Sequence, residues 1–303
     1  MIKKIIFIIT ALFCGMLSAQ KKDKPQRYYK EIFKDVSFET VTYGKNKTQS
    51  GKNVELQMDI YQPKGDKEKM RPVFIYAHGG GFTGGDKRNI KGFGLLQSIA
   101  KSGFVVVSIQ YRLIDVARNE ITSAIGTLNA IEDMRAAIRF FKKDAATENE
   151  YKIDPDQIII GGYSAGAITA LHTGYINSLE ELQTYTPQLV PHITANGGLE
   201  GNSGNPGYDS KVKGIVNIAG AIVDEHLIET GEPALYSLHG ESDTVVPIGN
   251  GALLKGSRII HEQATKVGVD SKLNAVPNQG HNVLFECVPC ITKLKRFLAT
   301  HVN

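Results

Sequence analysis

The sequence has little excess of charge of either sign, since 35 lysines and arginines face 31 aspartates and glutamates and the formal net charge is +4. A balance this small predicts no nucleic-acid partner and no strong electrostatic steering of a charged ligand. Internal repeats and low-complexity segments are also absent. With 42% hydrophobic and 22% charged residues, the 303-residue chain has the composition of an ordinary globular protein with a substantial core.

Cysteine is scarce, with three residues in the whole chain, Cys14, Cys287 and Cys290. The last two stand in "ECVPC", where a local disulfide with a structural role is the state expected in an oxidising compartment. A thioredoxin-like redox pair is the alternative, although nothing nearby in the sequence resembles that fold. A zinc site would need a second ligand pair that the sequence does not offer, so we expect no metal and no cofactor.

Long apolar runs are absent except near the N-terminus, where residues 5–17 follow two lysines and precede two small residues. This pattern predicts a secretory signal peptide, residues 1–19, which is too short and wrongly flanked for a stable membrane span. A lipoprotein anchor at Cys14 is the alternative, and the bulky Phe13 before it argues against that reading. Cleavage would leave residues 20–303 as a secreted or periplasmic chain with no integral membrane segment and, without the two lysines, a formal charge of +2.

Six later segments are short, apolar and rich in β-branched residues, which is typical of strands buried on both faces of a parallel sheet. They are "PVFIYAHGGG", "FVVVSIQYRL", "QIIIGGYS", "VKGIVNIAGA", "PALYSLHGES" and "KLNAVPNQG". Two alternating runs before them, residues 36–44 and 54–63, predict an antiparallel pair. Helical patterns separate several of these strands and are predicted at residues 92–101, 128–143, 167–175, 251–266 and 290–301. The sequence therefore predicts a mostly parallel, doubly wound α/β sheet of about eight strands with an antiparallel N-terminal edge.

Chemically active residues stand where the predicted strands end, which is where ligands bind in open α/β sheets. Ser164 in "GYSAG", Asp243 in "HGESD" and His281 in "NQGH" each occupy a strand-to-loop corner, in that order along the chain. A serine hydroxyl is a poor nucleophile at neutral pH, so an imidazole must take its proton and a carboxylate must orient that imidazole. We therefore predict Ser164 as nucleophile, His281 as base and Asp243 as the acid that orients it.

Glycines surround these positions where a side chain would obstruct the chemistry. Gly162 and Gly166, on either side of Ser164, allow the turn and the following helix to approach other backbone closely. The run at residues 79–81, after "YAH", can present backbone N–H groups to the negative oxygen of a tetrahedral intermediate. The pattern as a whole predicts acyl transfer rather than simple binding.

Other aspartates compete for the role of the acid. Asp224 also follows a predicted strand and Asp209 lies upstream of it, but the context "HGESDTVVP" favours Asp243. Elsewhere, Arg112 in "YRL" looks like a scaffold charge, and we expect it to pair with Asp133 on the neighbouring helix.

Other histidines compete for the role of the base. His261 lies in the middle of a predicted helix and His301 near the C-terminus, and both positions favour His281 instead. His239 precedes the predicted acid too closely and is interpreted as a turn or buried histidine. His78 is interpreted as a structural residue that pins the glycine run.

The long connection at residues 176–211 shows no strand pattern and is rich in glycine and asparagine in its second half. A loop longer than about 15 residues inside a compact domain is usually functional or disordered. Because it lies directly after the helix that follows Ser164, we predict that it covers the site as a lid. No linker divides the chain, so residues 20–303 are predicted to form a single domain.

The segments "HGGGF", "SIQYRL", "GYSAGA", "HGESDTVVP" and "GH" together resemble the α/β-hydrolase superfamily, over about residues 36–298. More narrowly, they resemble its carboxylesterase and hormone-sensitive-lipase-like branch, which includes bacterial feruloyl and acetyl-xylan esterases. The resemblance implies an α/β-hydrolase fold, to which the predicted lid would be an insertion, and an oxyanion hole formed by Gly80, Gly81 and Ala165. Two positions depart from it: Tyr163 stands where the branch usually has an acidic residue, and Ala167 replaces a common glycine.

Triad and resemblance together imply an exported serine carboxylesterase that hydrolyses small-molecule or polymer-linked carboxylic esters through an acyl-enzyme. A serine peptidase of the prolyl-oligopeptidase type is one alternative, but such relatives usually carry a large extra domain for which this chain leaves no room. A non-catalytic binding protein on the same fold is another, although such proteins typically lose the serine or the histidine. The sequence leaves the acyl group, the alcohol and the oligomeric state open.

Overall fold

The computed structural model describes residues 27–88 and 90–302, and the predicted signal peptide, residues 1–19, lies outside this part of the chain. Eight strands form one sheet in the order β1-β2-β4-β3-β5-β6-β8-β10. They are β1 (Val36–Lys47), β2 (Asn53–Pro63), β3 (Arg71–Ala77), β4 (Val105–Ile109), β5 (Ile153–Tyr163), β6 (Gly214–Ile218), β8 (Ala234–Gly240) and β10 (Ser271–Val276). A separate antiparallel pair joins β7 (Ala221–Ile222) to β9 (Lys255–Gly256).

The main sheet is antiparallel at its N-terminal edge and parallel elsewhere, as the sequence predicts. The pairs β1–β2 and β2–β4 are antiparallel, and every other neighbouring pair is parallel. All residues of β3, β4 and β6 are buried, as continuous apolar runs in a parallel sheet require. The predicted mostly parallel sheet of about eight strands with an antiparallel N-terminal edge is therefore confirmed.

Helices cover both faces of this sheet. They are α1 (Ile90–Lys101), α2 (Glu120–Ala146), α3 (Ala165–Tyr175), α4 (Leu179–Tyr185), α5 (Val190–Ala195), α6 (Ser257–Lys266), α7 (Val283–Glu286) and α8 (Val288–Thr300). Strand β3 shows the two layers, because Val73 and Ile75 face a core shared with α2, α3 and α6, whereas Phe74 and Tyr76 face one shared with α1 and α8. Within the described chain, no helix combines the length and apolarity needed to cross a membrane.

Two helices begin away from their predicted residues. Helix α2 starts eight residues before residue 128, because Asn119 accepts a bond from the Thr122 N–H and Thr122 accepts one from the Asn119 N–H. Its first turns are partly exposed, so the apolar periodicity does not reveal them. Helix α6 starts six residues after residue 251, because Gly256 first pairs in β9, where a Cβ would lie 2.0 Å from the Pro247 carbonyl oxygen.

The segment predicted as a lid, residues 176–211, contains α4 and α5 and is fastened to α2 by two arginines. Arg135 donates to the carbonyls of Ile176, at 2.6 Å, and of Leu199. Arg139 donates to the Gly204 carbonyl at 2.7 Å. These bonds place the second half of the segment along α2, with its backbone acceptors satisfied by buried guanidinium groups.

Arg112, just after β4, links α2 to this segment. Its guanidinium lies 2.7 Å from Glu132 and 2.8 Å from Asp133, and the three side chains are between 0% and 6% exposed. The predicted pairing of Arg112 with Asp133 is present, and Ser203 adds a bond to each of the two. Such a buried cluster depends on complete pairing, because each charge has lost its hydration.

We expect Arg112→Gln to lower the free energy of unfolding by about 3–5 kcal/mol, because it leaves Asp133 buried without a counter-charge. Urea denaturation at neutral pH measures this. The matched control is Arg258→Gln, whose pair with Glu241 is 48% and 40% exposed and should contribute less than about 1 kcal/mol. Equal losses in the two variants would contradict the importance of the buried cluster.

Candidate active site

Ser164 lies on a sharp turn between β5 and α3. Its backbone has φ 55° and ψ −120°, in the half of conformational space that residues with a side chain rarely adopt. The Ser164 N–H donates to the Ile218 carbonyl at 2.9 Å, which ties the turn to the end of β6. The surrounding sheet therefore holds the serine at the carboxyl edge, where it projects from the scaffold.

Close backbone contact around this turn explains the two flanking glycines. A Cβ on Gly166 would lie 2.1 Å from the Ala77 carbonyl oxygen, and one on Gly162 would lie 2.3 Å from the Gly166 carbonyl carbon. These neighbours are main-chain atoms that cannot rotate away. Only glycine allows β3, β5 and the start of α3 to meet at this distance.

The structure brings the three predicted catalytic residues together. The Ser164 hydroxyl lies 2.9 Å from His281 Nε2, and His281 Nδ1 lies 2.7 Å from Asp243 Oδ2. Because a carboxylate only accepts, Nδ1 carries the proton and Nε2 is free to accept from the serine. This tautomer is the one that general-base activation of a serine requires.

The competing residues bond elsewhere. Of the competing aspartates, Asp224 bonds His226 and Asp209 pairs with Lys142. Of the competing histidines, His261 bonds Ser271 and His301 bonds Asp270. None of these alternatives contacts Ser164 in the described residues. The structure thus assembles one serine, one histidine and one aspartate, from the ends of β5, β10 and β8.

Asp243 is a fully buried carboxylate with several donors. Its Oδ1 accepts from the N–H groups of Val245 and Val246, each at 2.9 Å. Burial alone would raise the pKa of Asp243, but bonds from His239, His281 and these backbone groups outweigh it and lower the pKa to about 2. The carboxylate is therefore ionised at neutral pH and oriented from both oxygens.

His239 lies beside the predicted acid, although the sequence analysis did not assign it to the site. Its Nε2 lies 3.2 Å from Asp243 Oδ2, and its side chain is fully buried. It was interpreted as a turn or buried histidine, and the second description is correct. The signal available in the sequence was its place at the end of a strand, four residues before the acid.

The glycine loop after β3 is held by His78, in the structural role predicted for it. Its Nδ1 donates to the Gly79 carbonyl at 2.7 Å, and its ring stacks on Tyr111 with centroids 4.4 Å apart. Burial lowers the pKa of His78, so the ring stays neutral. Gly80 and Gly81, with φ 128° and 59°, adopt backbone conformations that side chains disfavour.

A crevice of about 440 Å³ opens above Ser164 and His281. Its lining includes the backbone of the glycine loop, and its wall is largely aromatic and aliphatic, formed by Tyr76, Tyr163, Val245 and Phe285. The Tyr163 ring lies 5.2 Å from both the His281 and the Phe285 rings, centre to centre. Tyr163 therefore forms an aromatic side wall of the crevice, at the position before the serine where the carboxylesterase branch usually has an acidic residue.

Neither Ala165 nor the predicted lid segment lines this crevice. Ala165 is buried, but as the first residue of α3 its N–H has no acceptor within the helix. Residues 176–211 contribute none of the residues that line the crevice. The covering role of that segment therefore stays a prediction.

Residues 58–222, more than half of the chain, match the sequence model of the family described as BD-FAE. The chain belongs to the BD-FAE family. This membership confirms the resemblance to the carboxylesterase branch of the α/β-hydrolase superfamily, and the matched region runs from β2 to β7 and includes Ser164 and the glycine loop.

Curated relatives of this BD-FAE protein include esterases and a deacetylase-like protein. Gut esterase 1 of Caenorhabditis briggsae is 35% identical over 115 residues, which are 37% of this chain and 19% of that protein. Human arylacetamide deacetylase-like 2 is 31% identical over 115 residues, 37% of this chain and 26% of that protein. The matched region thus spans about a fifth to a quarter of the length of these relatives.

Solved structures with the same fold include esterase 2 of Thermogutta terrifontis phosphorylated by paraoxon. Its TM-score is 0.66 at 19% identity, covering 87% of this chain and 94% of that one. A truncated carbohydrate esterase from gut microbiota has a TM-score of 0.64 at 19% identity, covering 90% and 98%. At such identity the likeness shows the α/β-hydrolase fold.

A disulfide joins Cys287 to Cys290, with Cα atoms 5.3 Å apart. It crosslinks the short connection between α7 and the first turn of α8, and α7 carries the crevice residue Phe285. Cys290 is buried in the core beneath. The expected local disulfide is therefore the state in this structure, and it fixes the segment that follows His281.

Within the described chain, the side chains grouped closely enough to hold a metal ion are Asp224, Glu225 and His226. They are at least partly exposed and are not among the residues that line the crevice. Exposed acidic groups of this kind are common without an ion. The group therefore plays no part in the site described here.

We expect Gly166→Ala to destabilise this BD-FAE protein by about 3 kcal/mol, because the new Cβ must displace the backbone of Ala77. Thermal and urea unfolding measure the loss. Gly94→Ala in α1 is the control, since a Cβ there meets nothing within 4 Å and should stabilise the helix by up to about 1 kcal/mol. A Gly166→Ala protein as stable as wild type would contradict the proposed crowding.

Asp243→Asn should change how the free energy of unfolding depends on pH. Because the folded pKa of Asp243, about 2, lies below its ordinary value of 3.8, the ionised carboxylate stabilises the fold above pH 4 and loses that effect as pH falls toward 2. The difference in unfolding free energy between wild type and variant should be constant above pH 5. As the pH falls toward 2.5, wild type should lose on the order of 2 kcal/mol of stability relative to the variant. Urea titrations from pH 6 to 2.5 measure it, and a constant difference throughout would refute the shift.

Proposed function

We propose that this protein is an exported serine carboxylesterase that cleaves carboxylic esters through an acyl-enzyme. The observation that carries the proposal is the continuous bonded path from the Ser164 hydroxyl through His281 to Asp243, with lengths of 2.9 and 2.7 Å. Esterases among the relatives and membership of the BD-FAE family support the same reaction class.

Acylation begins when Ser164 Oγ attacks the ester carbonyl carbon and His281 Nε2 takes the hydroxyl proton. Asp243 stabilises the imidazolium that forms and keeps Nε2 directed at the serine. As the tetrahedral intermediate collapses, the bond to the alcohol oxygen breaks. His281 then returns the proton to that oxygen, and the alcohol leaves as a neutral molecule.

Negative charge on the carbonyl oxygen needs donors that are in place before the reaction. We assign this role to the N–H groups of Gly80, Gly81 and Ala165. Gly80 and Gly81 line the crevice in conformations suited to glycine, and Ala165 opens α3, where the N–H has no helical partner and the helix dipole favours an anion. Each such donor typically accounts for about 3–4 kcal/mol of barrier.

Deacylation uses the same groups in reverse. A water molecule takes the place of the alcohol, His281 accepts one of its protons, and the hydroxide attacks the acyl carbon. Collapse breaks the bond to Ser164 Oγ, which recovers its proton from His281. The products are the free acid and the original enzyme, so no cofactor enters the balance.

The crevice supports an apolar acyl or aromatic group beside Ser164. Tyr163, Phe285 and Val245 offer hydrophobic contact, and a phenol whose pKa burial raises to about 12 keeps Tyr163 neutral next to His281. Structures of Thermogutta terrifontis esterase 2 are described as propionate-bound and butyrate-bound. Small-molecule and polymer-linked esters both remain within the proposal, since no described residue of 176–211 lines the crevice.

Export is part of the same proposal. It rests on the signal-like pattern of residues 1–19 and on the Cys287–Cys290 disulfide, a bond that persists in oxidising compartments. The destination we propose is the periplasm or the medium.

The test of the proposed activity is hydrolysis of p-nitrophenyl acetate and treatment with paraoxon. Wild type should turn over the ester and gain the mass of one diethyl phosphate, located on Ser164 by peptide mass spectrometry. Ser164→Ala should lose ester hydrolysis by about 10⁴-fold or more and gain no mass. The control is Ser102→Ala, which removes a buried hydroxyl that donates to the Ile99 carbonyl.

A panel of peptide amides separates the esterase from the alternative peptidase. Folded wild-type protein, with folding verified by circular dichroism, should prefer esters to amides. Efficient cleavage of amides with weak ester turnover would support a peptidase instead. No turnover of either class, and no reaction with paraoxon, would refute the hydrolase.

A further inference from the structure

Asp243 is contacted by two histidines, and the mechanism above uses only one. His281 Nδ1 and His239 Nε2 approach the same carboxylate oxygen, Oδ2, at 2.7 and 3.2 Å. His239 lies at the end of β8 and has 0% exposure, so it cannot reach substrate or solvent. A polar ring buried this deeply must have partners for both nitrogens.

The protonation of His239 follows from these partners. Its Nε2 lies 2.8 Å from the Val246 carbonyl oxygen as well as near Asp243 Oδ2. Both oxygens can only accept, so Nε2 carries a hydrogen and donates toward them. The single Nε2–H is therefore shared: its shorter bond goes to the Val246 carbonyl, and it makes a longer, weaker contact with Asp243 Oδ2.

The second nitrogen is fixed by a buried chain of bonds. Nδ1 of His239 lies 2.6 Å from Ser257 Oγ, and Ser257 Oγ accepts from Asn217 Nδ2 at 2.9 Å. Asn217 is oriented in turn by the Gly220 N–H, which donates to its Oδ1 at 3.0 Å. Because Ser257 already accepts from Asn217, its own hydrogen is available for Nδ1, which satisfies the neutral ring with hydrogen on Nε2.

We propose that His239 is a positioning residue of the triad, a neutral donor that holds Asp243 Oδ2 and shares its negative charge with His281. The proposal rests on the proposed esterase function. Oδ1 of Asp243 is already held by two backbone N–H groups. With His239 present, Oδ2 is fixed as well, so the carboxylate cannot turn away when His281 takes the serine proton.

Sharing of this oxygen also sets how strongly Asp243 stabilises the protonated form of His281. The other groups bonded to the network, Ser257, Asn217 and Ser237, are uncharged. Beside His281 lies the neutral phenol of Tyr163, on which the nearby carboxylate of Glu286 also acts electrostatically. Loss of the His239 donor would concentrate the carboxylate charge on His281 and make its protonated form persist to higher pH.

The experiment compares His239→Leu, which removes the donor, with His239→Gln, whose amide N–H can occupy the place of Nε2. Initial rates with p-nitrophenyl acetate are measured from pH 5 to 9. For His239→Leu we expect kcat about tenfold lower with KM within about twofold, and the acid limb of kcat/KM about 0.5 pH unit higher. His239→Gln should recover most of kcat and return the acid limb toward its wild-type position.

His261→Leu is the matched control, because His261 also bonds a serine hydroxyl, that of Ser271 at 2.8 Å, but has no contact with Asp243. Its kcat and pH profile should equal those of wild type. If His239→Leu does not fold, Ser257→Ala takes its place, because it removes only the hydroxyl that sets the His239 tautomer. Ser257→Ala should lower kcat a few-fold and move the acid limb in the same direction.

Two results would overturn the inference while leaving the esterase intact. One is an unmoved acid limb in His239→Leu, or in Ser257→Ala where that variant replaces it. The other is a His239→Gln enzyme no better than His239→Leu. Either would mean that His239 only fills space under the turn. Wild-type protein inactive on every ester would instead refute the proposed function, so the two failures are distinguishable.

Discussion

Close contact between main-chain atoms at the carboxyl edge of the sheet is the constraint on which the site depends. The start of α3 lies against the end of β3 so tightly that only glycine fits at residues 162 and 166. This contact forces Ser164 into a turn with φ 55° and lifts its hydroxyl out of the sheet. The glycine loop leaves the same end of β3 against which α3 begins. The nucleophile and the glycine loop are therefore positioned by the same main-chain contact.

Polar groups buried around this edge stiffen it further. Asp243 has no exposed side-chain surface, and it is paired with two backbone N–H groups and two histidines. A partly satisfied carboxylate in such a place would cost the fold several kcal/mol, whereas a fully bonded one specifies a single orientation. The same principle holds around α2, where Arg135 and Arg139 of the helix and Arg112 just after β4 attach a long connection through buried bonds. Rigidity at the site and attachment of the connection thus have a common physical origin.

Much of the fold could be predicted because its signals are local. Continuous β-branched runs are compatible with little besides buried parallel strands, and strands β3 to β10 of the main sheet lie where those runs stand. The strand-end positions of Ser164, Asp243 and His281 were also visible, because parallel strands bring their carboxyl ends to one edge. Helix starts were harder to predict. The bond pair between Asn119 and Thr122 extends α2 over partly exposed turns, and the pairing of Gly256 delays α6.

The sequence by itself determined the fold class, where the strands of the main sheet lie along the chain, and which serine, aspartate and histidine could meet. It did so because residue type and apolar periodicity act over a few neighbouring positions. Only the tertiary structure decided that His239, held by Ser257 and Asn217, contacts Asp243. It also decided that Tyr163 forms a wall of the crevice and that residues 200–205 lie along α2. Apart from the short step from His239 to Asp243, these contacts join residues 18 to more than 100 positions apart, so they depend on packing distances that no local pattern encodes.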